Sequence, residues 1–225
     1  MWYDLIHSDT YPLSAMIFYY LGAVAWLVTY ILIVRRIFKD KFVEFPVIVV
    51  AGNVSWEIIG GFIIYPPLPF GGDLLLYGWR FGVVLDAIIL YGIFKYGAKQ
   101  WNHPLLKKYH PWITTLAFFG LGALTYTYYT AGYDLPMMFN SGMLLNVVMS
   151  VLCINLFLMK PDFRFSPYIA WGKFLASSVF FMIYLFIVAP DAYFSMVMGA
   201  ICFILDVTYI RMVTKRWRAM AGSGV

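Results

Sequence analysis

Charged residues are scarce in this chain. Asp, Glu, Lys and Arg make up 12% of its 225 residues, whereas hydrophobic residues make up 63%. A typical soluble domain carries roughly twice that charged fraction, about 25%. Together with a mean hydropathy of +0.78, the composition argues against a soluble domain and predicts an integral membrane protein.

Cysteine and histidine are also rare, with two and three residues respectively. Cys153 and Cys202 fall inside apolar runs, so we expect small packing residues and no disulfide framework. His7, His103 and His110 lie outside the predicted membrane spans or at their ends. This placement argues against a His-based metal site or Ser-His catalysis within the bilayer.

Other chemical motifs are missing from the sequence. It has no Asp-rich motif of the kind that holds magnesium and a diphosphate, and no Gly-rich phosphate loop. Ionisation of a substrate by a metal is therefore disfavoured, and we expect neither a metal nor another cofactor. The last apolar run has no Lys at mid-depth, because Lys215 lies past its end, so a retinal Schiff base is excluded.

Seven apolar runs are long enough to cross roughly 30 Å of hydrocarbon at about 1.5 Å per residue. The loops between them are too short to hold a soluble domain. We therefore predict an all-α fold in which residues 1–225 form one domain, an integral membrane bundle of seven transmembrane helices. The predicted spans are 14–34, 45–64, 77–96, 112–129, 137–158, 171–188 and 193–213.

Basic residues give the predicted topology. Fifteen of the sixteen Lys and Arg residues, all except Arg80, lie in the first, third and fifth loops or in the tail. Basic residues collect on the cytoplasmic side of membrane proteins. We therefore predict an outside N-terminus and a cytoplasmic C-terminus in a multi-pass protein of the plasma membrane or the endoplasmic reticulum. The net charge of +5 then reflects topology, and we expect no nucleic-acid partner.

Glu57 lies in the middle of the second apolar run. A carboxylate at the centre of a membrane helix costs about 2.5 to 3.5 kcal/mol, and chains that keep one commonly use it for proton or ion chemistry. Asn53 precedes Glu57 by one helical turn, and Gly60 and Gly61 follow, so this helix has one polar face that allows close approach. Glu57 is either a proton donor or binding group, or a protonated residue that fixes helix packing through a hydrogen bond.

Two further acids, Asp86 and Asp206, fall inside the third and seventh spans. A structural role for Asp86, as a hydrogen-bonding residue or in an ion pair with Arg80, fits its position as well as a catalytic role does. Asp206 could instead pair with Arg211 near the helix end. The sequence places no Lys in the middle of any span, so at least one acid should be protonated or bound to a strong donor. A neutral acid at physiological pH is suited to general-acid catalysis.

Aromatic residues make up 20% of the chain. Some belong to interfacial belts, whereas Trp56, Trp79 and Tyr209 could lie deeper and line a pocket. Aromatic ring faces attract cations by about 0.5 to 2 kcal/mol each. A dry aromatic cavity with a neutral acid would suit the formation of a carbocation. Asn146, in the fifth span, is a candidate hydrogen-bonding residue of this pocket, although helix packing is the usual role of such residues.

Several short motifs together resemble one enzyme family. The string Gly52-Asn53-Val54-Ser55-Trp56-Glu57 resembles the Asn-x-(Ala/Ser)-Trp-Glu signature of the small integral-membrane terpene cyclases of meroterpenoid biosynthesis, as in the pyripyropene pathway. The segments 79–86, 95–101 and 202–210 resemble the same family in order and spacing. The residues after Glu57 and the Pro-rich second loop differ from the pattern of fungal members, which leaves the substrate open.

The resemblance implies a metal-independent cyclisation of the isomerase or lyase type. It would begin when an acid protonates the epoxide, or the terminal alkene, of a polyprenyl chain on a prenylated, lipophilic substrate. The two acids essential in the family correspond to Glu57 and Asp206. Glu57 is then the protonating acid, while Asp206 supplies or shares the proton, or completes an acid pair. The predicted substrate-binding residues are Asn53, Trp56, Trp79, Arg80, Asp86, Asn146 and Tyr209.

The depths of the two acids complicate a direct pair. In straight helices Glu57 and Asp206 would differ in height by roughly 10 Å, so direct contact is not expected. A different function also fits the residues: Glu57, Asp86 and Asp206 could relay protons in a proton-coupled transporter of small molecules. In a third interpretation the protein is a membrane scaffold in which these acids only hold helices together.

Overall fold

The computed structural model describes residues 12–64 and 74–222, and it does so as a bundle of helices. Short 3₁₀ turns occupy Gly97–Gln100 and Pro136–Met138. The helices are α1 (Leu13–Asp40), α2 (Val47–Ile58), α3 (Leu74–Tyr96), α4 (Pro104–Lys108), α5 (His110–Thr130), α6 (Phe139–Met159), α7 (Pro167–Lys173), α8 (Phe181–Val188) and α9 (Tyr193–Gly222).

The described residues place a helix at each predicted span, and six of these helices are long and apolar enough to cross a membrane. The helix at the fourth predicted span, α5, has 21 residues but is not one of the six. Its last turns are rich in Thr and Tyr between Thr125 and Thr130, which lowers its hydropathy. An all-helical membrane bundle is confirmed, while the count of seven spans and the sides of the termini stay predictions.

Proline marks the beginning of most helices in the described part of the chain. Pro12 and Pro46 precede the first turns of α1 and α2, and Pro104, Pro111 and Pro167 lie in the first turns of α4, α5 and α7. Proline suits these positions because its fixed φ fits the helix and its missing N–H would have no partner in the helix. The helix starts are therefore encoded locally.

Two of the spans are interrupted by π-helix. The α2 helix continues as a π segment over Ile59–Ile64, and α7 continues as a π segment over Phe174–Phe180 into α8. Such wider turns are rare and occur frequently at functional sites. The first segment begins two residues after Glu57, and the second begins directly after Lys173.

The α2 helix occupies the centre of the bundle. In the apolar part of its span 61% of the residues are buried, against 22 to 39% in the other five membrane-crossing helices. It packs against α3, α5 and α6. Gln100 fixes its beginning, because the side-chain oxygen accepts from Val47 N (3.0 Å) while Nε2 donates to Val43 O and Phe45 O (2.9 and 2.7 Å). This central position and anchored start place Glu57 inside the bundle.

A buried ionic cluster joins the loop after α1 to the loop before α7. Glu44 pairs with Arg36 and accepts from Ser166 N at 2.8 Å. Arg36 also pairs with Asp40 at 2.8 Å and donates to Arg164 O at 2.6 Å. Burial raises the pKa of Glu44 to about 7, although the Arg36 guanidinium lowers it in part. Glu44 lies in the loop between α1 and α2, outside the membrane-crossing helices, and the cluster ties two loops together.

Candidate active site

A cavity of about 320 Å³ lies between α1, α2, α3, α6 and α8. Nine aromatic side chains face it, together with two asparagines, one glutamate and several small or apolar residues. The aromatic members are Tyr19, Tyr20, Trp26, Tyr30, Trp56, Trp79, Phe81, Phe139 and Phe181. The cavity is therefore largely apolar, with a few polar groups concentrated in its wall.

Glu57 is one of those polar groups, and its two oxygens differ. Oε1 accepts a hydrogen bond from the Tyr30 hydroxyl at 2.8 Å and lies 3.3 Å from Asn53 Nδ2. Oε2 is buried and makes no hydrogen bond within the described residues. It lies on the side of Gly82, another residue of the cavity wall, where an added Cβ would come within 3.3 Å of it.

Asn53 joins Glu57 to the second acid, Asp86. Its Nδ2 lies 2.7 Å from Asp86 Oδ2 and 2.8 Å from the Tyr30 hydroxyl. The carboxyl groups of Asp86 and Glu57 are also near enough to interact. The acid beside Glu57 is thus Asp86, which is buried behind the residues of the cavity wall.

The number of hydrogen atoms on Asn53 and Tyr30 determines which group donates to which in this cluster. The amide of Asn53 has two hydrogens and the hydroxyl of Tyr30 has one. When Asn53 donates to Asp86 and to Tyr30, the Tyr30 hydrogen goes to Glu57 Oε1. The oxygen of Glu57 with room for its own proton is therefore Oε2.

Two tryptophans face the cavity close to this acid. The rings of Trp56 and Trp79 lie 5.1 Å apart between centroids at an interplanar angle of 31°. Trp56 Nε1 donates to Ser141 Oγ at 2.9 Å, which fixes that ring. Gly60 makes room for the other, since a Cβ there would clash with the Trp79 ring at Cζ2. The close-approach face predicted around Gly60 is occupied by this tryptophan.

Two consecutive methionines of the cavity wall have a left-handed backbone conformation. Met137 and Met138 have φ of 60° and 58° and are both buried. Asp134 holds the turn, because its Oδ1 accepts from Leu135 N, Asn140 N and Ser141 N at 2.8 to 3.2 Å. Burial raises the pKa of Asp134. Strained backbone of this kind costs about 1 to 3 kcal/mol and clusters at functional sites.

Asp206 lies in a different cluster, away from the cavity wall. Lys173 Nζ is 2.7 Å from its Oδ1 and 2.9 Å from its Oδ2. Ser150 Oγ lies 2.8 Å from Oδ1, and Ser178 Oγ donates to Oδ2 at 2.8 Å. The expectation that no Lys in the middle of a span is available to neutralise an acid is wrong for Asp206. Lys173 is the third residue of the predicted span 171–188, but the helix begins at Pro167, so Lys173 lies six residues inside it and is buried.

Glu57 and Asp206 share no hydrogen-bond partner within the described residues. The two acids therefore belong to separate hydrogen-bonded clusters, and the height difference expected from their depths stays a prediction. The pairing of Asp206 with Arg211, one of the possibilities from sequence, is replaced by the pairing with Lys173.

The other predicted site residues divide into two groups. Asn53, Trp56, Trp79 and Asn146 line the cavity with Glu57. Arg80 and Tyr209 are not among the described residues of its wall. Arg80 Nε donates to Gly61 O at 2.9 Å and its guanidinium lies 5.3 Å from the centre of the Phe62 ring. Tyr209 is buried against Phe157, with ring centroids 6.3 Å apart.

Tyr30 and Lys173 are among the residues that contact the acids and that the sequence did not reveal. Tyr30 is one of 18 tyrosines, and no local motif separates it from those at the membrane interface. Lys173 was counted with the cytoplasmic basic residues because it lies in the first turn of the predicted span 171–188, whereas the helix begins at Pro167. The long apolar run directly after Lys173 was the available signal.

Comparison with known proteins identifies the family. The Pyr4-like transmembrane terpene cyclases match residues 10–212. The chain belongs to this family. The resemblance read from the short motifs is therefore confirmed, and with it the class of membrane terpene cyclases.

The individual relatives have low sequence identity to this chain. Terpene cyclase cle7 of Aspergillus versicolor is 24% identical over 74% of this chain and 69% of its own length. Pyr4-family terpene cyclase mfmH of Annulohypoxylon moriforme is 30% identical, and Asnovolin H synthase nvfL of Aspergillus novofumigatus is 29% identical. These two matches cover 41% and 40% of this chain, and 36% of each relative. No solved structure matches the chain.

Proposed function

We propose that the protein cyclises the polyprenyl chain of a prenylated, meroterpenoid-like substrate, and that Glu57 starts the reaction as a general acid. The observation that carries the proposal is the unpaired Oε2 of Glu57 in the wall of an aromatic cavity. Oε2 lies beside Gly82 in that wall, and the largely apolar cavity suits a lipophilic chain. The proposal includes cyclisation without a metal.

The first step transfers the proton from Oε2 to the epoxide oxygen of the substrate. The bond between that oxygen and the more substituted carbon breaks, which leaves a hydroxyl group and a tertiary carbocation. In an alkene substrate the proton instead adds to a carbon of the terminal double bond. Glu57 becomes a carboxylate in either case.

Tyr30 stabilises that carboxylate. Its hydrogen bond to Oε1 strengthens as negative charge develops, because bonds to charged acceptors are roughly twice as strong as neutral ones, and Asn53 donates to the Tyr30 hydroxyl and so holds it in place. Interactions that are stronger in the transition state than in the ground state lower the barrier. Asp86, joined to the same amide, is the adjacent acid from which Glu57 can recover a proton.

The aromatic wall stabilises the carbocation. Neighbouring double bonds of the chain close on the cation in turn, and each closure forms a carbon–carbon bond and moves the positive charge along the substrate. The faces of Trp56 and Trp79 contribute about 0.5 to 2 kcal/mol each to a cation held over them. The last cation loses a proton to form an alkene, so one proton enters, one leaves, and the product is an isomer of the substrate.

The test uses membranes of a host that expresses the chain, supplied with aryl polyprenyl epoxides of several chain lengths. The proposal predicts a cyclic product with the mass of the substrate, formed equally well in the presence of a metal chelator. Uptake of unchanged substrate that depends on a proton gradient would support a proton-coupled transporter instead, an alternative that the family match does not favour.

A further inference from the structure

Asn146 connects the buried cluster around Asp206 to the cavity. Asn146 lies in the cavity wall, and Ser177 Oγ donates to its Oδ1 at 2.9 Å. Ser150 Oγ lies 2.9 Å from the main-chain oxygen of Asn146 and 2.8 Å from Asp206 Oδ1. Asn146 is therefore held from two sides by the serines next to the ion pair.

Both side-chain oxygens of Asp206 already contact hydrogen-bond donors in this arrangement. Each of its oxygens faces Lys173 and one serine hydroxyl, at 2.7 to 2.9 Å. Lys173 and Asp206 are both almost fully buried. A carboxylate surrounded by a lysine and two hydroxyl donors satisfies the rule that buried charges are paired and hydrogen-bonded. It is suited to hold neighbours in place, and it does not touch the cavity.

The π segment that follows Lys173 links the ion pair to Asn146. Ser177 and Ser178 are consecutive, and both are buried. Ser177 faces Asn146 on α6, whereas Ser178 faces Asp206 on α9. The ion pair holds one end of this segment through Lys173 and its middle through Ser178. The Lys173–Asp206 ion pair therefore sets the position of the Ser177 hydroxyl, and through this hydroxyl the orientation of the Asn146 amide.

The orientation of that amide leaves one hydrogen for a ligand. The main-chain oxygen of Gly142 can only accept, so the atom 3.0 Å from it must be Asn146 Nδ2. Nδ2 carries two hydrogens, and the second has no acceptor among the described residues. Because Asn146 lines the cavity, this N–H is available to an oxygen atom of a molecule bound there.

We infer that Asn146 donates this hydrogen bond to an oxygen of the substrate, and that Asp206, Lys173 and Ser177 are positioning residues that keep the Asn146 amide turned towards it. Asp206 then influences the reaction through Asn146 rather than by protonating the substrate. The inference rests on the proposed function for the identity of the ligand. It does not depend on Glu57 as the acid.

The test measures binding of an aryl polyprenyl alcohol that lacks the epoxide, by quenching of tryptophan fluorescence in purified protein. Trp56 and Trp79 in the cavity wall supply the signal. We expect N146A to raise Kd about tenfold, S177A and D206N to raise it about three- to tenfold, and S177T, which keeps the hydroxyl, to bind like the unmodified chain. In an N146A background, S177A and D206N should have no further effect.

Additive effects of S177A and N146A would overturn the inference, as would unchanged binding in N146A. If D206N fails to insert or fold, S177A and S177T decide the question, because they leave the ion pair intact. Failure of the proposed function is recognised separately. An E57Q variant that cyclises normally would remove Glu57 as the acid but would not change the binding of the epoxide-free probe to these variants.

Discussion

The Tyr30 hydroxyl donates to Glu57 Oε1 at 2.8 Å, across 27 positions of sequence. This contact makes the two carboxyl oxygens of Glu57 different, because only one of them accepts a hydrogen bond from the described residues. Oε1 accepts the hydrogen of Tyr30, whose hydroxyl is held by Asn53, whereas Oε2 lies beside Gly82 in the cavity wall. The proposed chemistry depends on this difference.

Removal of the Tyr30 hydroxyl should slow turnover without preventing folding. A hydrogen bond to a charged group contributes about 1.5 to 3 kcal/mol, and each 1.36 kcal/mol corresponds to about tenfold in rate. We therefore expect Y30F to lower kcat roughly ten- to hundredfold, measured in membranes with an aryl polyprenyl epoxide. Y91F changes a half-exposed tyrosine remote from the cavity wall and serves as the control. A Y30F enzyme with normal kcat would contradict the role of Oε1.

Access to Oε2 should be sensitive to a single methyl group at Gly82. A Cβ there would lie 3.3 Å from Oε2, in the space that the substrate oxygen must approach. Small displacements of reacting atoms can cost up to about a hundredfold in rate, so we expect G82A to lower turnover at least about tenfold.

The neighbouring Gly78 provides a matched control for that change. It lies one turn earlier on α3 and also lines the cavity, but an added Cβ would meet no atom within 4 Å. G78A should therefore retain turnover within about twofold. Equal losses in G78A and G82A would show that the helix, and not the approach to Oε2, is sensitive to the substitution.

Glu44 should make the stability of the protein depend on pH. Burial raises the pKa of this carboxyl from 4.5 to about 7, so the folded chain binds the proton more tightly than the unfolded chain. The resulting stabilisation is complete below about pH 4.5 and is lost as the pH rises through about 7. At 1.36 kcal/mol per pKa unit the change is at most roughly 3 kcal/mol.

Thermal inactivation of the detergent-solubilised protein measures this effect. The midpoint should fall between pH 5.5 and pH 8 in the unmodified chain, and the fall should be smaller in E44Q, which cannot ionise at this position. An equal decline in both proteins would assign the pH dependence to other groups.

The sequence predicted the helical class, the family and the acid in the cavity, because each depends on local composition or a short motif. Glu57, Asn53 and Trp56 lie within five residues on one helix, and the structure keeps them together in the cavity wall. The predicted polar face of α2 therefore describes the centre of the site well.

Partners from distant helices could not be predicted in the same way. Tyr30 and Lys173 reach the acids through the packing of α1 on α3 and of α7 on α9, and no local pattern encodes that packing. The predicted sixth span also began four residues too late, which placed Lys173 in its first turn instead of six residues inside the helix. Asp86 was named as a pocket residue, but its place as the acid beside Glu57 needed the contact made by Asn53.

The most direct test of the account is the turnover of E57Q, which keeps the shape of the side chain and removes the acidic proton. E44Q makes the same change at the only other glutamate of the sequence, buried outside the cavity wall, and controls for loss of folded protein. With amounts of inserted protein matched, we predict no detectable cyclic product from E57Q and normal product from E44Q. Cyclisation by E57Q at the rate of the unmodified chain would contradict the proposal that Glu57 protonates the substrate.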